Sequence, residues 1–140
     1  KEICAVCEEC AIYEIGRRCL EKGCPVYIMT SAKDIARDFF IPQVRKTAFP
    51  SAILLLCPFS IRAILPPLLI CGVDTHLIAY ESGFCRDYAE WLKADRGSKD
   101  ERTAISRESK DVIYRLLDQC GAGKEPSVRF RRAGNIFYPA

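Results

Sequence analysis

Along the first quarter of the chain the apolar positions follow a helical period. Between Glu8 and Lys22, Ile12, Ile15 and Cys19 recur at that spacing, with Ala11 and Leu20 flanking them. Glu14, Arg17, Arg18 and Glu21 fall mostly on the other side. This is an amphipathic helix, and Gly23 supplies its stop. Pro25-Val26-Tyr27-Ile28-Met29 reads as a short strand. Thr30 and Ser31 can cap a helix that begins near Ala32, with Asp34 in its first turn and Ile35 and Phe39 on its inward face. Pro42 predicts an end or kink near Phe40 and can itself begin a second turn through Val44.

The pattern then loses its period. Residues 52–57, AILLLC, are apolar without alternation, as in a central strand covered on both faces of a parallel sheet. After Pro58, Ser60 is placed to cap a short helix through Leu65 that the Pro66-Pro67 pair stops. Gly72 and Asp74 mark a turn, and residues 76–80 read as a third strand. Strand, helix, strand, helix, strand predicts an α/β fold, a small parallel-sheet three-layer domain. Residues 94–102 are polar and read as an exposed linker. A helix follows from Ala104 to Gln119 on the stripe Ile105, Val112, Ile113, Leu116 and Leu117, with Cys120 at its end. The expected organisation is a cysteine-rich metal-binding domain over residues 1–92. Residues 93–140 follow it as linker, amphipathic helix and basic tail, a C-terminal helical appendage that is either part of the same compact unit or docks a partner.

Composition narrows the class. The chain has 140 residues, 49% of them hydrophobic, which suits one domain with an ordinary core. A net charge of +3 is not the footprint of a dedicated nucleic-acid binder. Residues 51–73 are apolar enough to raise a membrane span, which takes about 20 residues. Arg62 at the middle opposes it at about 2.5–3.5 kcal/mol, and Pro58, Pro66 and Pro67 each lack a backbone donor. Buried strand and short helical pieces are the better reading, and no membrane span is expected.

Nine cysteines change the picture most. Secreted disulfide scaffolds are short and core-poor, whereas here the count is odd and the cysteines border aliphatic runs. The chain opens Lys1-Glu2-Ile3-Cys4 with no apolar leader. Thiolates serving a metal in a reducing, cytoplasmic compartment are therefore expected. Cys4-x2-Cys7-x2-Cys10 is the strongest single signal, because two-residue spacers wrap three thiolates around one corner of a cluster, and ferredoxin-type chains take a further ligand from elsewhere. Structural zinc sites usually present two C-x2-C pairs; no second pair exists, and His76 is the only histidine. Cys57-Pro58 ends the buried strand, at the edge where open α/β sheets carry their sites, and Cys85 follows the third strand at the same edge. Cys24-Pro25 opens a strand and ranks below them. Cys19, Cys71 and Cys120 are expected to pack in the core.

The succession CAVCEECAIYEI, SAILLLC and ESGFC resembles a cysteine-rich archaeal and bacterial family catalogued as domain of unknown function number one hundred sixteen. The resemblance covers residues 4–90 and implies that Cys4, Cys7, Cys10, Cys57 and Cys85 are the cofactor-binding, metal-ligating positions.

No dinucleotide or P-loop fingerprint is present, and His76 reads as structural. Arg129, Arg131 and Arg132 around Phe130 could meet phosphates or an acidic partner, but a tail packed on its own domain or on a partner subunit is the simpler expectation. The expected function is an iron–sulfur protein holding one [4Fe–4S] cluster, for electron transfer or cluster holding beside a protein partner or larger redox complex of an anaerobic enzyme system. The alternatives are a structural zinc (Zn) module for assembly and a sulfur-transfer enzyme that uses a spare cysteine.

Overall fold

A computed structural model of the chain describes residues 10–29, 31–46, 48–120 and 130–139. The chain divides into two compact units, Lys1–Ile28 with Asp111–Ala140, and Met29–Lys110.

In the first unit, α1 (Ala11–Glu21) starts at Cys10, whose extended backbone makes it the N-cap. It ends in a Schellman turn: Gly23 takes φ +76°, the Gly23 amide donates to Leu20 O and the Cys24 amide to Cys19 O. β1 is only Val26–Tyr27. It pairs antiparallel with β5 (Ile136–Pro139), and β5 pairs antiparallel with β4 (Phe130–Ala133) across the Gly134-Asn135 turn. Among the described residues of this unit, Ile15, Leu20, Ile113, Leu117 and Phe137 are the buried apolar side chains. Of the basic residues read as a tail, Arg131 and Arg132 lie in β4 and stack over the rings of Tyr138 and Phe137; Arg129 lies outside the described residues.

The second unit opens with α2 (Ala32–Ile35), capped by Ser31, whose hydroxyl accepts from the Asp34 amide at 3.2 Å. The chain widens through a π-helical stretch, Ala36–Phe40, into α3 (Ile41–Lys46). Pro42 thus widens the helix without ending it; a π turn relieves the clash between a proline ring and the carbonyl one α-turn earlier. β2 (Ser51–Leu56), α4 (Pro58–Ile70) and β3 (Asp74–Ala79) form a parallel β-α-β unit in which Ser51 faces Asp74 and Leu56 faces Ala79. α4 runs through Pro66 and Pro67, where a stop was expected. Their rigid φ is helical, and α4 tolerates the missing donors. Gln43, a buried polar side chain, accepts from the Phe49 amide at 2.7 Å and so fixes the chain entering β2. α5 (Tyr88–Asp95), N-capped by Asp87, was not legible as a helix in the apolar pattern. α6 (Arg107–Gln119) begins in this unit, where Ser106 accepts from the Ser109 amide, and continues into the first.

The expected three-layer parallel-sheet domain is overturned. The described strands form two small sheets, β1-β5-β4 antiparallel and β2-β3 parallel. The reason is local. β1 is too short to nucleate a sheet with β2, and the hairpin of residues 130–139 offers it a partner that alternation in a tail full of arginines concealed. Among the described residues no helix is long and apolar enough to cross a membrane; the apolar run over residues 51–73 is β2, α4 and the turn before β3.

Candidate metal centre

The parallel pair positions the site. β2 ends at Leu56, and Cys57 follows as the N-cap of α4 with an extended backbone. The Ser60 amide donates to Cys57 O at 2.9 Å, and the Cys57 sulfur lies 2.9 Å from the Ser60 hydroxyl. Sulfur therefore sits at the start of a helix, where the dipole favours negative charge. β3 ends at Ala79, and the Tyr80 amide donates to Leu56 O, extending the ladder to the edge where Cys57 stands.

The loop after β3 turns back and is held by a second segment. The Glu81 amide donates to Ala104 O, the Ala104 amide donates to Ser82 O, and the Thr103 hydroxyl donates to Gly83 O. Gly83 takes φ +63°, and a Cβ there would sit inside contact distance of the Arg102 carbonyl. Only glycine combines that backbone with that approach. The clamp brings Cys85 near enough to Cys57 for the Cys85 thiol to feel its charge. Both are buried, each 8% exposed.

Burial pushes the Cys85 thiol above its ordinary value, the neighbouring Cys57 pushes it further, and Lys99 acts in the opposite direction. Tyr80, whose hydroxyl donates to Leu55 O at 2.9 Å, is likewise raised by burial and by Cys57. Negative charge at this edge is thus disfavoured until a cation joins it. Lys99 supplies one: its ammonium lies 5.9 Å from the centre of the Tyr80 ring and donates to the Thr103 hydroxyl. Beside Cys85 opens a cleft of about 330 Å³ whose walls include Arg86, Lys93, Lys99 and Glu101.

Of the five expected ligands, the structure brings Cys57 and Cys85 together. Cys10 stands in the other unit as the N-cap of α1, and Cys4 and Cys7 lie outside the described residues. Cys24 precedes β1, which is not part of the parallel pair. Among the described residues no group of three or more His, Cys, Asp and Glu side chains is gathered to hold a metal ion. The pair offers two soft sulfur donors, a hydroxyl within reach of one and a cation near the other, and this chemistry fits a thiolate-ligated metal. Sequence reasoning missed Tyr80, Lys99 and Thr103, none of which carries a motif; Ser60 was visible only as a helix cap. Comparison with family models, curated proteins and solved structures gives no match to this chain.

Proposed function

We propose that this protein binds an iron–sulfur cluster of the [4Fe–4S] type and serves electron transfer or cluster holding beside a larger redox system. The observation that carries the reading is the buried Cys57–Cys85 pair. Their places at the ends of the parallel strands had singled out both residues, and a thiol whose ionisation burial disfavours, as at Cys85, is what a cation converts to a thiolate. Cys4-x2-Cys7-x2-Cys10 is the proposed source of the other ligands, and the resemblance to the cysteine-rich family supports the same five positions. The cluster would supply one-electron chemistry. The protein's own residues would exclude water at Cys57 and Cys85, hydrogen-bond sulfur through Ser60 and offset thiolate charge through Lys99.

An anaerobic preparation assayed together for iron, acid-labile sulfide and zinc, with a visible spectrum, tests the proposal. Iron and sulfide near equality, at about four of each per chain, with broad visible absorbance, is the expected result. Zinc without sulfide overturns it in favour of a structural module. A second reading, sulfur transfer through Cys85, is favoured by that residue's place on the wall of the cleft. It predicts that neither metal nor sulfide is bound and that Cys85 alone accepts sulfane sulfur from a persulfide donor.

A further inference from the structure

Cys19, Cys24 and Cys120 were expected to be core thiols or, for Cys24, a low-ranked ligand. Within the first unit they form a cluster of their own. The side chains of α1 and α6 meet in a parallel register: Glu14 accepts from the Tyr114 hydroxyl, Arg18 stacks over the Tyr114 ring, and Arg18 and Lys22 reach Asp118 at 3.4 and 2.8 Å. That register carries the ends of the two helices to the same place. The Schellman turn folds Cys24 back over the last turn of α1, its amide on Cys19 O at 2.8 Å. Cys120 follows α6 directly, its amide on Leu117 O.

We propose that Cys24 and Cys120 are an oxidation site, a dithiol that a peroxide converts to a disulfide joining the ends of α1 and α6. The Cys24 sulfur lies 3.9 Å from Lys22 O and the Cys120 sulfur 3.4 Å from Leu116 O, each on the helix end that Lys22 and Asp118 tie together, and Cys120 is close enough to act on the titration of both Cys24 and Cys19. Access sets the order of events. Cys120 is exposed and Cys24 is half-buried, so the oxidant meets Cys120 first. Burial, followed by the charge of Cys120, pushes Cys24 up to about 11. Burial, followed by Cys24 and Cys120, pushes Cys19 up to about 12. Both stay protonated and poorly reactive towards peroxide at neutral pH.

In the first step the Cys120 sulfur bonds to one peroxide oxygen, the O–O bond breaks and one water leaves, giving a sulfenic acid. In the second the Cys24 sulfur bonds to the Cys120 sulfur and the S–O bond breaks. The departing hydroxide takes the Cys24 proton and leaves as the second water. Two thiols and one hydrogen peroxide become one disulfide and two waters; the sulfurs lose two electrons and the peroxide oxygens gain them.

Tryptic mapping tests this on the full chain. Cleavage after Arg18, Lys22, Lys33, Arg115 and Lys124 puts Cys19 on residues 19–22, Cys24 on residues 23–33 and Cys120 on residues 116–124. After equimolar hydrogen peroxide, thiol blocking and non-reducing digestion, the expected product is peptide 23–33 linked to peptide 116–124. It is lost on dithiothreitol treatment, lost in Cys24→Ser and Cys120→Ser, and retained in Cys19→Ser. A link between 19–22 and 116–124 in the wild-type chain overturns the assignment. Recovery of Cys24 and Cys120 as blocked thiols, while other cysteines are oxidised, overturns the site itself; both readouts come from the wild-type chain and need no variant to fold.

Discussion

Cys57 and Cys85 are electrostatic neighbours, both buried, although one follows β2 as the N-cap of α4 and the other follows β3 across a folded-back loop. If both are ligands, Cys57→Ser and Cys85→Ser each leave less than half of the wild-type iron and sulfide on the anaerobically prepared protein. Cys71→Ser, at the far end of α4, leaves both unchanged. Iron retained in full by both site variants overturns their role as ligands.

Gly83 is the hinge of that arrangement. Its left-handed backbone and its approach to the Arg102 carbonyl leave no room for a side chain. Gly83→Ala should lower stability by about 2 kcal/mol or more, the cost of a strained backbone together with a steric clash. Urea unfolding of the two proteins reads this directly, and Gly97→Ala, at another positive φ but with open space around its Cβ, should lose less.

Asp118 holds the ends of α1 and α6 through Lys22 and Arg18. The hydrogen bond from Lys22, then the charges of Lys22 and Arg18, keep its carboxyl below the ordinary 3.8. A depressed folded value means the stabilisation is present above 3.8 and is lost as pH falls through the lower, folded value. Asp118→Asn should therefore lower the melting temperature slightly at pH 7, with the difference from wild type closing below about pH 3.8. Because the pair is exposed, added salt should shrink the difference too. Thermal melts across pH 2 to 7 check both trends.

Tyr114 donates to Glu14, and burial, followed by that hydrogen bond, pushes its phenol up to about 12. For a raised acid the stabilisation is whole below the ordinary 10.0 and disappears as pH rises through about 12. In a phenolate absorbance titration, Tyr114→Phe should remove an alkaline component near that upper value. If the variant's curve matches wild type above pH 11, the Glu14 contact does not hold in solution.

How much of this was legible in sequence depends on the range of the contacts. The helix ending at Gly23, the Ser31 cap, the strand at Ala52 and the amphipathic stripe of α6 are decided by neighbours a few residues apart, and propensity, capping and periodicity report such neighbours. The nearness of Cys57 and Cys85 was foreseen because a β-α-β crossover brings the ends of parallel strands to one edge. Tyr80, Lys99 and the 102–104 clamp were not, because no spacing rule links a loop to the segment that later hydrogen-bonds it.

By itself, then, the sequence determined α1, the Ser31 cap, the strand at Ala52, the stripe of α6 and the parallel pairing on either side of α4, whose short-range patterns admit few alternatives, but not α5, the full length of α4 or the 130–139 hairpin. Tertiary structure decided where β1 goes. Two residues of strand carry too little apolar pattern to name a partner, and β5, from the other end of the chain, captured them through backbone hydrogen bonds that are nearly blind to side-chain identity. The same long-range register between α1 and α6, set by Glu14, Tyr114, Lys22 and Asp118, gathered Cys19, Cys24 and Cys120. Thiols so far apart in sequence are brought to one place only by the folded chain.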